Sequence, residues 1–181
     1  MNSADSRHPS TTGSCLPWTK SCYVCGEDNP RGFRLKSRLV GDRVVIDYTP
    51  RETDRGYKHL VHGGVLMTLL DEVMTWAAIL RTGKVCVAAE LTARLKQPLA
   101  AGIPIHVEGW IERDARRILL AAGRVITHDQ TLIVEASGKF MPTPNHIATL
   151  QAEDFVLPDS GSALKNQIQQ HLANLAKAVN N

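Results

Sequence analysis

The residues of this chain equipped for chemistry are His62-Gly63-Gly64 and, further along, the adjacent carboxylates Asp71 and Glu72. The two glycines open a segment of helical periodicity, where the first backbone N–H groups lack intrahelical acceptors and carry partial positive charge. Glycine lets a ligand approach that backbone with no Cβ in the way. A Gly63 N–H in this position can polarise a carbonyl whose oxygen gains negative charge during acyl transfer. His62, at the same terminus, can donate to that carbonyl or hold the loop. A carboxylate at Asp71 can activate water or attack the carbonyl carbon itself.

Spacing limits how these parts combine. Asp71 lies eight residues beyond Gly63, roughly 12 Å along a helix axis. Reacting atoms must approach within about 3–3.5 Å, so the two cannot serve one carbonyl from within one chain. Either they are unrelated, or a two-fold dimer lays antiparallel helices together and brings Gly63 of one subunit to Asp71 of the other.

The element carrying them reads as a helix through Leu80 that is apolar almost all round. Its polar members Thr68, Asp71, Glu72 and Thr75 sit at i, i+3, i+4 and i+7, a stripe of roughly 100°. Such a helix is wrapped by its own protein on most sides and offers a narrow polar seam to something else. Thr82-Gly83-Lys84 ends it, with Gly83 as C-cap. Ahead of the helix, extended runs from Phe33 to Val40 and Arg43 to Thr49 flank Gly41-Asp42, a hairpin signal. After it come four alternating runs, over residues 85–96, 103–111, 117–127 and 131–141. Long strands with short turns predict an antiparallel meander. A single sheet curling round one helix satisfies the order, and the seam left open points to a dimer. From about Ser162, Leu164, Ile168, Leu172, Leu175 and Val179 form the stripe of an amphipathic C-terminal helix that packs on the domain or a sister subunit.

The 181 residues suit one domain with tails, and 43% hydrophobic content supports a real core. A net charge of +3 with no polybasic run argues against nucleic acid as a partner. Asp71 and Glu72 interrupt the apolar helix, so no membrane span is expected. Residues 1–14 are polar, without the apolar stretch of a secretory signal, and read as a disordered lead; the expected compartment is a reducing cytoplasm with thiol cysteines. Cys22 and Cys25 have zinc-like spacing, but no second Cys or His pair follows, so they read as buried thiols in a turn rather than a metal site.

His62-Gly63-Gly64 with a carboxylate nine positions after the histidine, on a helix followed by four strands and preceded by a Cys-x-x-Cys-Gly loop with Asn29-Pro30-x-Gly32, resembles the hotdog-fold acyl-CoA thioesterases. The likeness covers about Cys22 to Pro142 and is greatest to the phenylacetate-pathway and hydroxybenzoyl-CoA type. The resemblance implies an α+β hotdog fold: one long buried helix wrapped by a curved antiparallel sheet, a β-α-β4 core, here with the added C-terminal helix. It implies a homodimer or homotetramer that shares its sheet and binds acyl-CoA at the subunit interface. The Gly63 amide then forms the oxyanion site and Asp71 acts as base or nucleophile, with His62 beside them and His59, Gly64, Glu72 and Thr75 around the substrate. No cofactor or metal is expected. The corresponding divisions are a lead at 1–14, the hotdog domain at 15–144 and a C-terminal extension at 145–181. This chain departs from members with Ser or Thr on the first strand after the helix, having Ala88 and Ala89 there, and from those with Asn or Gln before the histidine, where it has Gly56-Tyr57-Lys58-His59. The expected activity is hydrolysis of a CoA thioester to acid and free CoA. Its rivals are a non-catalytic acyl-CoA binding or regulatory protein and an enoyl-CoA hydratase on the same fold.

Overall fold

A computed structural model describes residues 13–143, 154–158 and 166. The C-terminal helix expected from Ser162 lies, apart from Asn166, outside the described residues, as does most of the lead. Ahead of the helix run β1 (Ser14–Cys15), β2 (Trp18–Thr19), β3 (Arg38–Val40), β4 (Arg43–Tyr48), a 3-10 turn (Glu52–Asp54), β5 (Arg55–Tyr57) and β6 (Leu60–Val61). Helix α1 spans Gly63–Thr82 and is followed by β7 (Cys86–Leu95), β8 (Ile105–Asp114), β9 (Leu119–Thr127), β10 (Leu132–Pro142) and β11 (Phe155–Val156).

Helix α1 ends where its sequence says it must. Gly83 adopts φ 66°, and its N–H bonds the Ile79 carbonyl at 2.8 Å. By length and composition α1 is apolar enough to cross a bilayer, yet nine of its residues, among them Leu69, Leu70, Val73, Met74 and Ala78, are buried in the protein core. They lie on one face of a seven-stranded antiparallel sheet ordered β1-β3-β4-β8-β9-β10-β7. Contact is closest at Gly109 of β8, where a Cβ would come within 2.9 Å of the backbone of Val73 and Met74. Backbone cannot swing aside as a side-chain tip can. Gly109→Ala is therefore expected to cost about 2 kcal/mol by lifting the helix off the sheet, read as a lower urea midpoint with an unchanged far-ultraviolet spectrum.

Two expectations are corrected. The extended run predicted from Phe33 is strand only over Arg38–Val40, because Arg34 takes φ 59° and the N–H groups of Phe33 and Leu35 bond the Tyr23 and Val24 carbonyls instead. The last four strands are not a simple meander, since β7 pairs with β10 and β8 pairs with β4. The connection between β7 and β8, residues 96–104 with Pro98, is too long for a hairpin turn and carries the chain across the sheet. This leaves β7 as a ten-residue edge strand, with Val87 45% and Leu95 54% exposed. Of its apolar face, Leu91 and Ala93 pack against the core, whereas Val87 and Leu95 do not.

The segment between β2 and β3 folds over the side of α1 that the sheet leaves uncovered. Tyr23, Phe33 and Tyr48 pack edge-to-face at centroid separations of 5.2 and 5.5 Å, tying this segment to β4. Phe155 of β11 packs edge-to-face on Trp76 of α1 at 6.3 Å, and β11 pairs with β2.

Candidate active site

The start of α1 is held by its own cap. His62 is the N-cap, with extended backbone, and its Nδ1 accepts the Gly64 N–H at 2.9 Å. An accepting Nδ1 leaves the neutral ring's proton on Nε2. Val65 donates to the His62 carbonyl at 2.9 Å. These bonds commit the amides of Gly64 and Val65, so among the described residues the Gly63 N–H is the one at this terminus not used by the cap. A Cβ on Gly63 would lie 2.8 Å from Leu95 Cδ2, so the exposed Leu95 side chain forms the wall beside that amide.

Asp54, in the charged loop ahead of the helix, anchors this arrangement, and the sequence reading missed it. Its carbonyl accepts the His62 N–H at 2.9 Å. Its carboxylate accepts from the Arg51 backbone N–H at 2.7 Å, from Arg51 Nη2 at 3.0 Å and from the Tyr48 hydroxyl. An Asp three residues after Arg51 in a turn was the available signal, but nothing local says that its carbonyl will hold His62, the residue before Gly63. Burial works to raise the Asp54 carboxyl, but hydrogen bonds from Arg51 and Tyr48 outweigh it and hold the group below the usual carboxylate range. A depressed folded value adds stability above the unfolded value and withdraws it as pH falls through the folded one. Asp54→Ala is expected to lose about 3 kcal/mol at pH 7, because it strands the partners of a buried carboxylate. It should also lose less than wild type on acidification below about pH 4; urea unfolding at both pH values measures this.

The polar seam divides. Thr68, Asp71, Glu72 and Thr75 are each half-buried, and Thr68 bonds back to the Gly64 carbonyl at 2.8 Å. The Asp71 Oδ1 atom is buried without a hydrogen-bond partner among the described residues. Burial raises the Asp71 carboxyl above its ordinary value; charge at Cys22 adds to this and the Thr75 hydroxyl opposes it. Glu72 turns under the loop ahead of β3, accepting Trp76 Nε1 at 3.1 Å and lying 3.7 Å from Cys22 Sγ. Burial first, then charge at Cys22, pushes Glu72 up to about 7. Cys22 is lowered, chiefly by the hydrogen bond with Cys25, while the same bond and burial raise Cys25.

Gly63, Gly64 and His62 thus share the helix entrance, while Asp71, Glu72 and Thr75 lie two to three turns along. Because α1 is continuous, Gly63 and Asp71 stay roughly 12 Å apart along its axis. His59 sits at the exposed turn between β5 and β6 with φ 65°, its carbonyl accepting the Ala101 N–H at 3.1 Å. A cavity of about 530 Å³ lies against the sheet face turned away from α1, bordered by Arg94, Trp110, Arg124 and Glu135, and so involves none of these groups.

The profile of the thioesterase superfamily matches residues 58–134, from just before the helix entrance into β10. Among solved structures, a thioesterase superfamily protein is 27% identical with a TM-score of 0.62, the match covering 67% of this chain and 60% of that one. The chain thus spans about three fifths of that relative's length. The E. coli PaaI protein from the phenylacetic acid degradation operon is 17% identical with a TM-score of 0.56, over 61% of this chain and 80% of that one. Zebra fish thioesterase superfamily member 2 is also 17% identical with a TM-score of 0.56, over 60% and 81%. At such identities the last two show the fold alone. Among curated proteins none matches the chain. With one long helix laid on a large antiparallel sheet, this chain has the hotdog fold, and from the helix entrance through the strands behind it, over residues 58–134, it is similar to the thioesterase superfamily.

Proposed function

We propose that the protein is an acyl-CoA thioesterase whose reaction centre forms between two copies of the chain, within the hotdog domain at 15–144. The carrying observation is the uncommitted Gly63 amide at one end of a continuous helix and the buried, unpartnered Asp71 oxygen roughly 12 Å along it. Antiparallel helices related by a two-fold axis bring the two together twice. The open ten-residue edge of β7, with Val87 and Leu95 exposed along it, and the exposed Tyr57 and Leu60 ahead of the helix give a second copy something to cover.

In this reading the Gly63 N–H binds the thioester oxygen. Asp71 of the other subunit takes a proton from water, whose oxygen attacks the carbonyl carbon. The negative charge passes onto the oxygen at Gly63, then returns as the carbon–sulfur bond breaks. The CoA sulfur leaves with the bonding pair and is protonated, giving acid and free CoA. The free cysteines suit a reducing cytoplasm.

Thiol release measured over short, medium, long and aromatic acyl-CoAs tests the activity. Hydration of an enoyl-CoA without thiol release would replace it with the hydratase reading. Tight acyl-CoA binding with no turnover would favour a binding module, consistent with Ala88 and Ala89 on β7, where some members of the family it resembles carry Ser or Thr. A solution mass at the single-chain value of 19.9 kDa would remove the shared centre.

A further inference from the structure

The loop covering α1 brings together Cys22, Cys25 and Glu72, whose donor atoms all lie within 4.8 Å of one another. We infer that this cluster binds one thiophilic divalent cation of the zinc class, which clasps the loop to the helix. Two cysteines from the loop and a carboxylate from the helix supply three donors, and the fourth tetrahedral position goes to water. Such a site is independent of the reaction proposed above.

Four features carry the inference. Tetrahedral bonds of about 2.3 Å to sulfur and about 2.1 Å to oxygen place neighbouring S and O donors about 3.6 Å apart, and Cys22 Sγ lies 3.7 Å from Glu72 Oε2. The Cys22 sulfur already accepts backbone N–H groups from Val24 at 3.2 Å and Cys25 at 3.4 Å, the amide cradle that supports a metal thiolate in a tight Cys-x-x-Cys turn. The turn closes with Gly26 N–H on the Cys22 carbonyl at 3.0 Å, where a Cβ on Gly26 would come 2.3 Å from the Lys20 oxygen. Trp76 Nε1 holds Glu72 Oε1 at 3.1 Å and so fixes the carboxylate with its other oxygen toward Cys22, an outer contact that orients a ligand.

Among the described residues the surroundings supply no other cation for these donors. Among the described residues no Lys, Arg or His pairs with Glu72 or Asp71. Lys36 reaches the loop, but it binds the Cys25 carbonyl at 2.6 Å, pairs with Glu27 at 3.2 Å and lies over the Trp18 ring at 4.1 Å. A half-buried carboxylate set against two thiols is costly without a positive partner. Two sulfur donors select a borderline-soft ion over magnesium or calcium. Binding sends the thiol protons to solvent.

The test uses the full chain, reduced and stripped with a chelator, titrated with cobalt(II) and then zinc(II). Cobalt should give a thiolate charge-transfer band that saturates at one equivalent per chain, and zinc should displace it. Cys22→Ser and Cys25→Ser should abolish the band, and Glu72→Gln should weaken zinc binding about tenfold or more. Zinc should raise the melting temperature of wild type and not of Cys25→Ser. A missing band in wild type overturns the inference whether or not the variants fold. So does a band that survives both cysteine replacements, or a Cys22–Cys25 disulfide that persists in reductant.

Discussion

Asp71→Asn should lower kcat for acyl-CoA hydrolysis by about 10³-fold, within the range for removing a general base from a positioned water. The replacement keeps the shape of the side chain and removes its ability to take a proton. It should leave the fold intact. Burial already works against the charged form of Asp71, the Thr75 hydroxyl only partly offsetting it, and among the described residues Oδ1 has no hydrogen-bond partner to lose. The melting temperature should therefore stay level or rise while turnover collapses, a combination that a purely structural interface carboxylate would not give. Unchanged rates across the acyl-CoA panel would take Asp71 out of the mechanism.

The second large effect is expected at Gly63, and the helix start permits an unusually clean probe of it. Proline is well tolerated at the first helical position, where it removes an N–H that the helix does not use. The preceding residue, His62, already has φ −67° and ψ 130°, the extended region proline requires before it. A Cβ at this position meets only the tip of Leu95, an exposed side chain free to move. Gly63→Pro should thus delete the oxyanion donor with little loss of stability, lowering kcat by about 10²–10³-fold. The two variants also test each other. In a mixed dimer, the Asp71→Asn chain contributes an intact Gly63 and the Gly63→Pro chain an intact Asp71, so one of two centres is complete. Random exchange of equal amounts should restore about a quarter of wild-type activity from two nearly inactive proteins. Mixing that restores nothing would place both groups in separate roles.

The reach of the sequence differed from element to element. Helix α1 and its ends were legible because they rest on local rules. A run of apolar residues with one polar stripe specifies a buried helix, Gly83 can take the left-handed cap, and His62-Gly63-Gly64 marks the start. The pairing of β7 with β10 was not legible, since alternation says that a strand has two faces and not which strand lies beside it. Likewise alternation along β7 does not say how much of its apolar face is buried: Leu91 and Ala93 pack against the core, whereas Val87 and Leu95 stay exposed.

The sequence by itself determined the hotdog element order and put Gly63 and Asp71 on one continuous helix, too far apart along it to reach one carbonyl from within one chain. Only the tertiary structure decided which amide of the helix start is left uncommitted, that Asp54 fixes the cap from eight residues away, and that Glu72 faces Cys22 across fifty residues of chain rather than the open seam. The physical reason is range. Backbone geometry and helix periodicity act over a few residues and can be read in order, whereas hydrogen bonds and donor clusters depend on which distant segments packing brings into contact.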